Sequence, residues 1–204
     1  MLELWLVRHG ETAWNREGRV QGSSDPALSE LGRVQAQRLG RRLAGTRFGA
    51  VHSSDLQRAQ ETAALALPRM TPVCDPRLRE LDFGTWEGRL WRELAEQDGA
   101  ALSAWLRDPY ANAPSGGEDY CALARRVQAW RAQLPPEGRV IAFSHGGPIL
   151  SLLYGLTGTP QGWRFSPAPG SLSKLVLTEE GAVIAVVGDA AHLEALSEIP
   201  RSRV

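Results

Sequence analysis

The chain has 204 residues, 43% of them hydrophobic and 23% charged, and its 23 basic and 23 acidic side chains cancel to a formal net charge of +0 at pH 7. That length is enough for one domain with a full core, and the balance argues against the strongly basic surface that nucleic acid or an anionic membrane would recruit. No apolar run approaches the roughly 20 residues of a bilayer span. The amino terminus lacks the charged, apolar and small-residue order of a signal peptide, so a cytoplasmic location is expected. Cys74 and Cys121 stand far apart without C-x-x-C spacing and are expected to be reduced, buried thiols. Lys174 is the only lysine, so an arginine with a chemical task is hidden among many surface arginines.

Leu4-Trp5-Leu6-Val7 is an apolar run that predicts the first strand. Residues 11–27 lack clear periodicity and contain Gly18, Gly22, Ser23, Ser24 and Pro26, which predicts a loop. Ser29 is placed to cap a helix reaching about residue 43, with Leu31, Val34, Leu39 and Leu43 at helical spacing. A short strand is expected at 48–52. The capping-box pattern Ser54-x-x-Gln57 then opens a helix that stops before Pro68. A further short strand fits 72–75, and 78–88 is turn-rich. Helical patterns cover 90–106, with a break near Gly99, and about 118–134, ended by Pro135-Pro136; the loop 109–117 lies between them. A second clear strand spans 139–143, a helix follows over 147–156, and strands at 172–177 and 183–187 are joined by Glu180-Gly181. The alternation predicts an α/β fold in three layers: a mostly parallel sheet with an antiparallel edge strand and helices on both faces.

Two of these strands run directly into histidine. The first ends in Arg8-His9-Gly10-Glu11-Thr12 and the later one in Ser144-His145-Gly146-Gly147. Carboxyl ends of parallel strands border the crevice where open α/β sheets bind ligands, and the adjacent arginine points to phosphate. Arg58 sits one turn into the helix after the second strand, where a right-handed crossover brings it to the same edge. Its plain alternative is a solvated helix arginine; as a phosphate ligand it is expected to lie outside the core. An imidazole fixed at one ring nitrogen attacks phosphorus with the other, which suits His9, while His145 is suited to stabilising a phosphoryl oxygen. His52 and His192 lack this context and read as structural or surface residues. The leaving alkoxide needs a proton donor, for which Glu80 is favoured; Asp82 and Glu87 are rivals that spacing does not separate.

These residues resemble the histidine phosphatase superfamily, also called phosphoglycerate mutase-like. Arg8-His9-Gly10-Glu11-Thr12-x-Trp14-Asn15 resembles its signature, and further segments follow in the family's order. They are Leu28-Ser29-x-x-Gly32-x-x-Gln35-Ala36, Ser53-Ser54-x-Leu56-x-Arg58-Ala59-x-x-Thr62-Ala63, Leu78-x-Glu80-x-x-Phe83-Gly84-x-Trp86-Glu87-Gly88 and Ser144-His145-Gly146-Gly147. The resemblance covers about residues 3–158. It implies that His9 becomes phosphohistidine, that Arg8, Arg58 and His145 form the phosphate pocket, and that Glu80 is the proton donor. It further implies that Asn15 and the backbone near Gly146 help hold the phosphoryl oxygens and that Gln21, Gly22 and Ser23 approach the substrate. Asp82 and Glu87 then fall to supporting roles, and neither a metal nor another cofactor is required. One domain over 1–204 is implied, with a small helical cap inserted at about 87–117.

Within the family, mutases typically carry more basic residues after the acid loop and read His-Gly-Asn where this chain reads His145-Gly146-Gly147. The cap holds only Arg89, Arg92 and Arg107 as bases, among Leu90, Trp91, Leu94, Leu102, Trp105 and Leu106. The expected activity is metal-independent hydrolysis of a small phosphorylated metabolite. A cofactor-dependent mutase is the alternative, and a phospho-ligand binding domain or a regulator of protein phosphohistidine a second one. Candidate substrates include sugar phosphates, phosphoglycerates and α-ribazole phosphate, and neither nucleic acid nor membrane is expected as a partner.

Overall fold

Six strands in the order β3-β2-β4-β1-β5-β6 make one sheet in the computed structural model, which describes residues 1–157 and 165–196. The strands are β1 (Leu2–Arg8), β2 (Ala50–Ser53), β3 (Val73–Cys74), β4 (Gly138–Ser144), β5 (Leu172–Thr178) and β6 (Gly181–Asp189). Strands β3, β2, β4 and β1 run parallel, β5 is antiparallel to β1, and β6 is antiparallel to β5. The reversed strand is therefore β5, one position in from the edge that β6 closes.

Alternating side chains of the central strands feed two apolar clusters, as strands covered on both faces require. Leu4 and Leu6 of β1 with Val140 and Ala142 of β4 share one cluster with Leu123, Val127 and Trp130 of α6 (Tyr120–Arg131) and with Ile149 and Leu153 of α7 (Gly146–Thr157). Leu94 of α4 (Trp91–Gln97) and Leu102 and Trp105 of α5 (Gly99–Arg107) belong to the same cluster. Val7, Ile141 and Phe143 point the other way, onto Leu39 of α2 (Glu30–Arg42) and Ala63 and Ala66 of α3 (Gln57–Ala66). Trp91, Leu94, Leu102 and Trp105 of the cap region thus pack against the core, while Leu106 is exposed.

Four local expectations change. The stretch 11–27 contains a helix, α1 (Ala13–Glu17), held by a capping box in which Asn15 N–H donates to Thr12 Oγ1 and Thr12 N–H donates to Asn15 Oδ1. Five residues are too few to show periodicity, and the Thr-x-x-Asn signal lay inside a glycine-rich run. Ser54 does not cap α3; its hydroxyl accepts from Leu56 N–H. The first amides of α3 instead donate to the carboxylate of Asp25, Gln57 N–H at 2.5 Å and Arg58 N–H at 3.4 Å. Arg58 is 0% exposed, so it belongs to the core after all. Finally, Cys74 is exposed and Cys121 half-buried, both as free thiols. Ser29 does cap α2, accepting from Gly32 N–H. The end of the polar tail, 197–204, lies outside the described residues.

Candidate active site

Strands β1 and β4 pair with Arg8 opposite Ser144, so His9 and His145 leave the sheet side by side, and His9 N–H donates to Ser144 O at 2.9 Å. The two rings lie 5.1 Å apart at 58°. His9 Nδ1 is 2.7 Å from Gly10 O, a contact that requires the proton on Nδ1 and leaves the Nε2 lone pair free. Gly10 N–H donates to Thr62 Oγ1, whose hydroxyl donates to Arg58 O, so the loop carrying His9 is tied to α3. Gly10 also meets α2 closely: a Cβ there would stand 2.5 Å from Gly32 O. His145 is fully buried and neither ring nitrogen has a partner among the described residues. Burial, with Arg58 and Arg8 close by, holds both imidazoles well below their ordinary range and keeps them neutral.

The two arginines are braced from behind and leave donors unspent. Arg8 donates through Nη1 to Pro167 O at 2.7 Å, and its Nε is buried without a partner. Arg58 donates to Gly22 O and Ser24 O, each at 2.8 Å, and to Asp25 Oδ1 at 3.1 Å; its Nε is likewise buried and unpartnered. Asp25 thus caps α3 and pairs with the arginine of that helix's first turn. Buried donors without acceptors are costly, and their convergence here marks a place for an anion.

Glu80 approaches the same crevice from the loop after β3. Its Oε1 accepts from Leu81 N–H at 2.8 Å and from Gly147 N–H at 2.9 Å, at the start of α7. Burial raises its pKa against the pull of those amides and of Arg8 and Arg58. A Cβ at Gly147 would lie 2.2 Å from Glu80 Oε1 and would force the carboxylate to move, and Gly146 lies against Glu80 and Arg8. The backbone of this loop is clamped by Arg126 of α6, which donates to the carbonyls of Arg77, Arg79 and Glu80 and pairs with both oxygens of Glu118.

The remaining predicted residues line or support the entrance. Gln21 is buried and its Oε1 accepts from Thr12 Oγ1, while Asn15 spends its Oδ1 on Thr12. Gly22 is buried and Ser23 exposed. Glu87 binds this loop, its carboxylate accepting from Ser23, Ser24 and Phe83 amides. Asp82 accepts from Gly84 N–H. His52 packs edge-on against Trp130, and His192 contacts Gly170 O, whose residue in turn donates its N–H to Arg8 O and His9 O. Asp25, Thr62, Glu118, Arg126 and the Pro167 carbonyl were not anticipated from the sequence; only Thr62, inside the Arg58-Ala59-x-x-Thr62 pattern, carried a signal. Among the described residues no group of three or more His, Cys, Asp or Glu is placed to hold a metal ion.

This arrangement can be compared with known proteins. The sequence pattern of the histidine phosphatase superfamily (branch 1) matches residues 4–190. The chain is 36% identical over 197 residues to the adenosylcobalamin/alpha-ribazole phosphatase of Escherichia coli (strain K12), covering 93% of this chain and 97% of that protein. It is 37% identical over 221 aligned positions to the probable phosphoglycerate mutase GpmB of Yersinia pestis (strain Pestoides F), covering 98% and 100%. The solved structure of a mycobacterial glucosyl-3-phosphoglycerate phosphatase in complex with VO3 superimposes with a TM-score of 0.82 at 31% identity, covering 92% of this chain and 99% of that one.

Proposed function

The chain belongs to the histidine phosphatase superfamily, branch 1, and on that premise we propose that it hydrolyses small phosphomonoesters through a phosphohistidine at His9. The observation that carries this reading is the neutral His9 Nε2 beside unspent donors on Arg8, Arg58 and His145. In the first step the Nε2 lone pair attacks phosphorus, the bond to the ester oxygen breaks, and Glu80 gives that oxygen its proton. The alcohol leaves. In the second step water attacks the phosphohistidine, Glu80 takes the water proton, and the P–N bond breaks to release phosphate. Arg8, Arg58 and His145 hold the phosphoryl oxygens while charge builds on them, joined by the Asn15 amide and the backbone of Gly146. Gln21, Gly22 and Ser23 shape the entrance. An incoming phosphate dianion raises the pKa of Glu80 further, which loads the acid as substrate binds.

The residue environment favours hydrolysis over mutase chemistry. Of the cap bases, Arg89 is already tied to Asp98 and Gln97. The likeness to GpmB keeps the mutase as the second reading. The cap, 87–117, shares the core cluster and is read as part of one domain with the rest of the chain. No described helix is long and apolar enough to cross a membrane; that the enzyme acts on metabolites in the cytoplasm is part of this proposal.

The test is rapid-quench labelling with a 32P-labelled phosphomonoester. Acid-labile label is expected on the wild-type protein and none on His9→Ala. Equal labelling of the variant would move the nucleophile elsewhere. Interconversion of phosphoglycerates with mutase cofactor present, faster than phosphate release, would favour the second reading.

A further inference from the structure

The leaving group of the ester is attached to the oxygen that Glu80 protonates, so it must lie on the Glu80 side of the crevice. The concave surface there is a cleft of about 380 Å³ bordered by Ser23, Arg79, Glu80, Asp82, Glu118 and Arg126, with the backbone of Gly116 and Gly117 as a further wall. That wall is a close backbone meeting of the cap with the acid loop: Glu118 N–H donates to Asp82 O and Thr85 N–H to Ser115 O.

The charges in this cleft are unequal in availability. A guanidinium has five N–H donors, and all five of Arg126 are committed, to three backbone carbonyls and both Glu118 oxygens. Arg79 is paired in bidentate fashion with Asp55, at 2.7 and 2.6 Å. Asp82, by contrast, accepts one backbone hydrogen bond and has no ion-pair partner among the described residues. Both arginines of the cleft are thus paired with a carboxylate while Asp82 is not, so the cleft offers acceptors and a surplus negative charge, its unspent cationic donors being those Arg79 keeps beyond its Asp55 pair.

We infer, resting on the phosphatase reading above, that the leaving group is uncharged or cationic and rich in hydroxyl or N–H donors, and that Asp82 disfavours esters bearing a carboxylate or a second phosphate. A carboxylate entering this cleft meets arginines already paired with Asp55 and Glu118 and faces an unneutralised carboxylate, while a hydroxyl donates to Asp82 or to the glycine-loop carbonyls.

The experiment compares glycerol 3-phosphate with 3-phosphoglycerate, which differ by a hydroxymethyl group in place of a carboxylate, with p-nitrophenyl phosphate as the third ester. Wild-type kcat/KM is expected to favour glycerol 3-phosphate by about tenfold, the scale of one partly screened charge roughly 7–10 Å away. Asp82→Asn, which keeps an oxygen for Gly84 N–H, is expected to narrow that ratio, and Asp82→Lys to invert it. Each ratio is taken within one protein, so loss of folded enzyme cancels. A wild-type preference for 3-phosphoglycerate overturns the inference alone. A ratio unmoved in both variants overturns the assignment to Asp82. Failure to release phosphate from any of the three esters overturns the phosphatase reading and the inference with it.

Discussion

Arg58→Ala tests the site and the fold through one side chain. Arg58 is 0% exposed and its guanidinium donates to Gly22 O, Ser24 O and Asp25 Oδ1. At about 1 kcal/mol for each hydrogen bond, truncation costs about 3 kcal/mol of folding stability. The cavity left by the stem adds to this, and release of a buried charge subtracts from it. Loss of one preorganised donor in the transition state costs a further barrier of about 3 kcal/mol, or about a hundredfold in kcat/KM. The assay is urea unfolding with and without inorganic phosphate, together with p-nitrophenyl phosphate kinetics corrected for the folded fraction. Phosphate at about 100 times its Kd stabilises the wild type by about 2.7 kcal/mol, and Arg58→Ala should lose most of that gain at the same concentration. A variant within about 0.5 kcal/mol of wild-type stability, with undiminished phosphate protection and kcat/KM, would refute both the structural and the binding role.

Three further outcomes are expected. Burial raises the Glu80 pKa, so the acid is protonated below that raised value; single-turnover kcat/KM for an alkyl phosphate should fall as pH rises through it. Glu80→Gln should lose this alkaline limb and harm alkyl phosphates far more than p-nitrophenyl phosphate, whose leaving anion needs no proton; equal losses would reassign the acid. The same shift means the folded chain holds this proton longer than the unfolded one, so the contribution to stability declines as pH rises through the raised pKa, and Glu80→Gln should flatten that decline in urea melts. Gly147→Ala puts a Cβ 2.2 Å from Glu80 Oε1, and displacing the acid should lower alkyl phosphate turnover by about ten- to a hundredfold relative to p-nitrophenyl phosphate, a ratio that would stay at the wild-type value if Glu80 were a bystander. Activity should also survive exhaustive EDTA, because arginines supply the charge and an imidazole the nucleophile; a loss restored only by magnesium or zinc would sink the mechanism.

What the chain order alone determines is whatever is periodic or contiguous. The apolar runs before His9 and His145 predict strands, and both histidines emerge at the strand ends because one residue beyond an apolar run is a local property. The helix starting at Ser29, the break near Gly99 and the closing hairpin are legible for the same reason. What the tertiary structure decides is the environment of each charged group. Glu80, Asp82 and Glu87 are equivalent by spacing, yet only Glu80 accepts from Gly147 N–H and faces both Arg8 and Arg58, while Glu87 is spent on the Ser23 and Ser24 amides. Arg58 reads as a solvated helix residue until Asp25 and the Gly22 and Ser24 carbonyls close over it. Ser54 carries the local capping pattern, but Asp25 supplies the cap from another loop. Arg126 has no motif at all, because its acceptors are carbonyls 46 to 49 residues away, and any residue type can present a carbonyl. Short-range hydrogen bonds and packing periods are written into neighbouring residues. The partner of a buried charge is chosen by which loops the sheet brings together, and that depends on the whole chain being folded.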